Sequence, residues 1–273
     1  MLRRVVVTGA GSGFGLATTV HLAALGFAVT GLVPSAEEGG QLGAEADRQG
    51  VEVDVLEADL SDARRRAGLL AGCDVWALVN NAGYMNAGQI RDVPIEDARC
   101  QIEAMVLAPV DLARQVLPGM IRRGQGRIVN VTSSAVHTST PLTGWYTACK
   151  AALRELNDSL RVEVASCGVE VIDIEPGGYR TGIWSGARGD LRARREHSSR
   201  PDRYDRVLKR LDDARELMGD PDRVAVAIGE VLTTGEPPPH VRIGPGAGWL
   251  RILDAVVPDR VWDRVMWRVA GMG

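Results

Sequence analysis

Four cysteines in 273 residues, Cys73, Cys100, Cys149 and Cys167, show neither paired nor metal-ligand spacing. That excludes a disulfide framework, and free thiols point to a reducing compartment. The histidines, His21, His137, His197 and His240, are scattered without ligand spacing, so no metal centre is expected. No apolar run approaches the roughly 18 residues of a membrane span. The valines after Met1-Leu2-Arg3-Arg4 end in a glycine loop, which does not fit a signal sequence. A formal charge of −3 at pH 7 argues against a chain built to bind nucleic acid. Neither an internal repeat nor a long low-complexity tract is present. These absences leave a cytoplasmic globular chain, 45% hydrophobic, large enough for one α/β domain with a full core.

What is present alternates. Strand-like runs at 3–8, 29–33, 51–58, 75–80, 127–132, 169–175 and 241–243 are separated by helical patterns, the signature of a parallel sheet covered on both faces. Gly26, Gly50, Gly126 and Gly168 fall between a helix and the next strand, where a left-handed cap is wanted.

Two groups of residues carry chemistry. Arg3-Arg4-Val5-Val6-Val7-Thr8 reads as a buried strand that turns through Gly9, Gly11, Gly13 and Gly15 straight into a helix. Such a turn offers backbone N–H groups and the positive end of a helix dipole to a diphosphate, and glycine allows the close approach. Further on, Tyr146 and Lys150 stand four residues apart, on one face of a helix, with Ser133 thirteen residues before the tyrosine. A fixed ammonium beside a phenol favours the phenolate and lowers its pKa, so that Tyr146 could serve as general acid or base near neutrality. Ser133 could hydrogen-bond the same substrate oxygen.

These motifs, with Asn80-Asn81-Ala82-Gly83 and Pro176-Gly177-Gly178-Tyr179-Arg180-Thr181, occur in an order and at intervals that resemble the short-chain dehydrogenases/reductases along essentially the whole chain. The stretches 11–15 and 76–83 look most like the retinol and hydroxysteroid dehydrogenase branch. The resemblance implies a single Rossmann-type doubly wound parallel sheet and an NAD(H)- or NADP(H)-dependent enzyme that is a homodimer or homotetramer. It implies that Gly9, Gly11, Ser12, Gly13, Phe14 and Gly15 cradle the cofactor diphosphate. Val33, Asp59 and Leu60 would then meet the adenosine end. Asn80, Ala82 and Gly83 would lie near the ribose, and Pro176, Gly177 and Thr181 beside the nicotinamide. Lys150 would tune Tyr146 and bind the nicotinamide ribose. The expected substrate is an apolar ring-bearing or long-chain alcohol or ketone.

Several features depart from the family pattern. Neither an acid nor an arginine ends the second strand at Gly31-Leu32-Val33-Pro34-Ser35, while Glu37 and Glu38 follow and would repel a 2′-phosphate, a lean toward NAD. Met105 stands where the family places an asparagine whose backbone carbonyl holds a water. Pro109 cannot donate to that carbonyl, so the backbone of Met105 could still serve. Residues 185–218 are crowded with arginines and acids. They read as solvated helices with ion pairs, and by position as a mobile substrate cover touching substrate through Ile183, Trp184, Leu191, Tyr204, Val207 and Leu208. Whether one of the arginines meets an acidic substrate stays open. Residues 249–272 form an amphipathic tail broken at Pro258, expected over the cleft or against another subunit, with membrane-surface contact the alternative. His137 could touch substrate or be only solvated. Two other functions remain on the same fold: dehydration or epimerisation without redox, hinted at by Met105, and cofactor sensing without catalysis.

Overall fold

The computed structural model describes residues 2–138, 140–213, 216, 218–245, 247–248 and 256–269. Seven strands build the sheet: β1 (Arg4–Thr8), β2 (Ala28–Val33), β3 (Asp54–Glu57), β4 (Ala77–Asn80), β5 (Gly126–Val131), β6 (Val169–Pro176) and β7 (His240–Ile243). Their order is β3-β2-β1-β4-β5-β6-β7 and every pairing is parallel. Successive side chains on a strand point to opposite faces, and both faces here are covered. Val5, Val7, Val79, Val129, Ile172 and Ile174 pack on one side with Leu22, Ile228 and Leu232. Val6, Leu78, Ile128 and Val171 pack on the other with Leu112, Val116 and Met120. Continuous apolar runs rather than alternating ones are therefore what these strands require.

The helices are α1 (Gly13–Ala24), α2 (Ala36–Gln49), α3 (Ala63–Arg66), α4 (Ile95–Ile102), α5 (Ala108–Arg123), α6 (Gly144–Glu163), α7 (Ile183–Arg195), α8 (Pro201–Asp213), α9 (Asp222–Thr233) and α10 (Asp259–Val269). Strand order reverses direction between β1 and β4, which opens a crevice at their carboxyl ends. Thr8 and Gly9 face Asn81 and Ala82 across that crevice.

Four expectations are corrected. The cap before β5 is Gly124, with φ 64, whereas Gly126 begins the strand and is glycine because a Cβ would stand 2.5 Å from Met120 Cγ. Residues 95–123 do form a helical run long and apolar enough to cross a membrane. Its inner face is spent on the sheet through Ala108, Leu112, Val116 and Met120, as in a core helix. The third strand is shorter than 51–58, and its residues are mostly exposed at the sheet edge. Residues 103–107 are wound as a π-turn between α4 and α5, with Ala108 N–H donating to Glu103 O. Pro109 follows at once and has no N–H to give, which favours such a slip in the ladder.

Candidate active site

One cavity of about 740 Å³ runs along the crevice and reaches from Val33 and Asp59 at one end to α8 and α10 at the other. Its floor is the glycine loop. Gly9 has φ +64, and a Cβ there would lie 2.8 Å from Ala82 Cα. A Cβ on Gly15 would lie 1.9 Å from the Gly9 carbonyl oxygen, so α1 can press against the loop only without a side chain. Thr8 Oγ1 accepts from the N–H groups of Asn81 and Ala82 at 3.0 Å, and Asn81 Nδ2 donates to Thr8 O at 2.9 Å. These bonds lock the loop to the end of β4, with Ser12, Gly13 and Phe14 at the α1 N-terminus opening on the cavity. A backbone cradle at a helix N-terminus fits a dinucleotide diphosphate.

At the end of the cavity nearest β2 and β3, Leu32, Val33, Asp59 and Leu60 line the wall. Asp59 Oδ1 accepts from the Ser61 N–H at 2.9 Å and from its hydroxyl at 2.7 Å, a local turn that fixes the carboxylate. Buried Arg66 donates to Leu60 O at 2.5 Å, Glu103 at 2.6 Å and Asp111 at 2.9 Å, tying this loop to the π-turn. Glu38 projects over the glycine loop, where a Cβ on Gly11 would meet its Oε2 at 2.4 Å.

Ser133, Tyr146 and Lys150 all face the cavity midway along its length. Ser133 lies two residues past β5 and caps the short turn Ser134–His137, accepting from Ala135 N–H at 3.1 Å. Tyr146 and Lys150 lie on the buried face of α6. The two side chains are on the same side, with Lys150 Nζ 6.0 Å from the Tyr146 ring centre. The expected lowering of the tyrosine pKa is not found. Burial pushes Tyr146 up to about 12, against which the Ser133 hydroxyl works in the opposite sense. Burial likewise brings Lys150 down to about 8, opposed by the charge of Asp173. The ammonium gives a hydrogen bond to Val131 O at 2.7 Å instead of to the phenol. Leu142, in the loop before α6, has φ 67 and turns its carbonyl onto the Gly88 N–H at 2.8 Å.

The remaining wall is apolar except for Arg210 of α8. Ile183, Trp184, Ala187, Leu191, Val207 and Leu211 line it from α7 and α8, with Met266 from α10. This cover is pinned. Tyr204 donates to Asp92 Oδ2 at 2.7 Å and accepts from Gln89 N–H at 3.0 Å, and Arg194 binds Ala87 O, Asn86 and Asp97 at 2.5–2.9 Å. Tyr204, expected to touch substrate, is instead the peg that holds the cover down, and Leu208 packs beside it without reaching the cavity. Most arginines of the cover do form ion pairs, among them Arg188–Asp212 and Arg195–Asp205. The first part of the expected tail, 249–255, lies outside the described residues.

Other expected residues are placed elsewhere. Asn80 is buried under α5 and binds Asn130 Oδ1 at 2.8 Å and Pro109 O at 3.3 Å, while its neighbour Asn81 lines the cavity. Gly11 and Gly15 support the loop without lining the cavity. The Met105 side chain is fully buried in the cluster around Tyr146. His137 neither meets the cavity nor solvent: its Nε2 stands 3.1 Å from Glu175 Oε2. His240, read as isolated, joins Asp173 and Glu175 in a group whose ligand-type atoms lie within 4.8 Å of one another. Glu175 is already committed to Arg154 and Arg242 there. Sequence reasoning gave no role to Thr8, Arg66 or Arg194; of the two asparagines expected to bond across the cleft, Asn81 does so, through Thr8 O and Gly9 O.

A glycine-floored cradle and the side chains of Ser133, Tyr146 and Lys150 thus share one crevice of an α/β fold. The chain belongs to the short-chain dehydrogenase family, whose model matches residues 3–191. It is 31% identical over 272 residues to the uncharacterized oxidoreductase YusZ of Bacillus subtilis (strain 168), covering 96% of each chain. It is 33% identical over 191 residues to estradiol 17-beta-dehydrogenase 2 of Mus musculus, covering 66% of this chain and 49% of that one. Among solved structures, a short-chain dehydrogenase from Streptomyces avermitilis superimposes with a TM-score of 0.75 at 29% identity over 97% of both chains. The closed form of a serine dehydrogenase complexed with NADP+ matches with a TM-score of 0.75 at 25% identity, over 89% of this chain and 94% of that one. A nicotinamide dinucleotide is the cofactor class of this fold, and the neighbour's NADP+ lends no support to the lean toward NAD.

Proposed function

We propose that the protein interconverts a secondary alcohol and a ketone on an apolar small molecule, using a nicotinamide dinucleotide. The observation that carries this reading is that Ser133, Tyr146 and Lys150 open on the same cavity as the glycine loop. When bound, the nicotinamide supplies or accepts the hydride. Tyr146 gives its proton to the ketone oxygen, or removes it from the alcohol, and the Ser133 hydroxyl holds that oxygen in place. Tyr146, pushed up to about 12 by burial, carries its proton at neutral pH and can donate it. Lys150 contributes positive charge beside the phenol and donors to the nicotinamide ribose.

Gly9, Ser12, Gly13 and Phe14 would hold the diphosphate, with Gly11 and Gly15 shaping the loop. Val33, Asp59 and Leu60 would hold the adenosine, and Ala82, Gly83, Pro176, Gly177 and Thr181 the nicotinamide half. The carbonyl of Met105 receives no bond from Pro109, which has no N–H, and is assigned to hold a water behind Lys150. NAD is the preferred cofactor in this reading, since Glu38 and Asp59 are the charged groups lining the adenosine end. Four free thiols, two of them exposed, suit the cytoplasm.

The test is a panel of apolar ketones and alcohols with each nicotinamide cofactor, read at the reduced-nicotinamide absorbance. Tyr146→Phe should lower turnover by a factor on the order of 10²–10⁴. Undiminished activity in that variant removes the tyrosine from the mechanism, and product formed without any absorbance change replaces redox with lyase or isomerase chemistry.

A further inference from the structure

We infer that the substrate carries an anionic group, and that Arg210 receives it at the mouth of the cavity. This inference rests on the ketone/alcohol reading above and adds the polarity of the substrate's far end. Val207, Arg210 and Leu211 all line the cavity from α8, at i, i+3 and i+4, so they share one helical face. Next to them Met266 of α10 completes the outer wall. That wall is apolar except for the guanidinium. The only cationic side chains lining the cavity, among the described residues, are Lys150 in the interior and Arg210 at the rim.

Among the cover's described arginines, Arg192, Arg203 and Arg210 are in no ion pair shown here, and of these three Arg210 alone lines the cavity. Around it, Arg188 pairs with Asp212, Arg194 with Asp97 and Asp190, Arg195 with Asp205, and Arg200 and Arg206 with Asp202. The recorded bond of Arg210 goes to a main-chain oxygen, Arg268 O, at 2.9 Å. That carbonyl lies in the last turn of α10, the negative end of its dipole, and steadies the side chain without neutralising it. A guanidinium has five N–H donors in a planar fork, so most remain for a ligand. Carboxylate and phosphate oxygens match that fork in pairs. An apolar body along α7 and α8, with its carbonyl at Tyr146 and an anion at Arg210, matches the part of the cavity between the glycine loop and α10.

The experiment compares three ketones of equal chain length: a medium-chain oxo acid, its methyl ester, and the phosphate monoester of the matching oxo alcohol. Chain length between the ketone and head group is varied, and both dinucleotides are supplied. For the wild-type enzyme, kcat/KM for the better anionic ketone should exceed that for the ester on the order of threefold to tenfold, shrinking as salt is added. The larger of the carboxylate and phosphate preferences identifies the head group. Arg210→Gln keeps a donor for Arg268 O without the charge and should bring the ratio to about one, while Arg210→Lys should retain part of it. Melting curves establish that both variants are folded. An ester used as well as both anions, or a preference untouched in Arg210→Gln, overturns the inference. Calorimetric binding of acid and ester reads the same ratio without turnover, so a failed redox reading and a failed anion site give different results.

Discussion

Lys150 Nζ donates to the Val131 carbonyl at 2.7 Å while Tyr146, one turn earlier on α6, looks into the cavity. The lysine is thereby held in place before any ligand arrives, at the cost of burying its charge. Burial brings it down to about 8, so it is charged at neutrality and loses its proton as pH rises through that value. In the proposed reaction, ketone reduction needs the Tyr146 proton, which is retained across this range, and the positive charge, which is not. Measured for the dinucleotide, kcat/KM reports groups of the free enzyme. It should be level from pH 6 to 7.5 and fall above about 8. In Lys150→Arg, whose charge persists, activity should be lower but the decline absent. A wild-type profile level to pH 9.5 would remove the lysine charge from the rate.

Asp173 is fully buried beside His240 and Glu175, and burial raises it to about 7, with the Thr132 hydroxyl opposing. The folded state therefore holds this proton between about 4 and 7, where the unfolded chain has lost it. The resulting stabilisation is present at low pH and is lost as pH rises through 7. Glu175 and Asp158 add to the raising, and Arg154 counters it. Asp173→Asn should gain on the wild type between pH 5 and pH 8, by a relative amount on the order of 1–3 kcal/mol. Urea unfolding at the two pH values is the measurement, and an unchanged difference would show that Asp173 does not titrate there.

Glu38 is held by the α2 cap, its N–H donating to Ser35 Oγ at 3.3 Å, with the carboxylate over the glycine loop. Removing the like charge in Glu38→Gln should tighten NADP+ binding on the order of threefold to tenfold and leave NAD+ less affected. Calorimetry on the two cofactors decides it. NADP+ bound more tightly than NAD+ by the wild type would contradict the role of the carboxylate.

The cover over the cavity depends on a few polar pegs. Tyr204→Phe deletes the hydroxyl that joins Asp92 to the Gln89 N–H, a loss of roughly 1–3 kcal/mol for a buried bond to a charged group. The expected result is faster proteolysis between α7 and α8 and a raised KM, with the sheet's melting little altered. Proteolysis at the wild-type rate would place the anchorage elsewhere, in Arg194.

Much of this was legible in the chain because it is local. Three consecutive valines with apolar partners on both faces specify a covered parallel strand. The spacing of Gly9, Gly13 and Gly15 specifies a turn against which a helix packs closely, and i, i+4 spacing puts Tyr146 and Lys150 on one side of α6. Strand boundaries were off by one to three residues at β3 and β4, where pairing partners rather than propensity end the ladder.

What the sequence determined by itself, then, was the fold class, the tight glycine turn into α1 and the shared helix face of Tyr146 and Lys150, all encoded in short-range pattern. Only the tertiary structure decided which of Asn80 and Asn81 faces the cavity, that His240 lies beside Asp173 in the neighbouring strand, and that Tyr204 pegs the cover. It also decided the sign of the Tyr146 shift. A pKa depends on how much water the whole fold removes and on where Nζ finds its acceptor, and neither is written in the spacing of two residues on a helix.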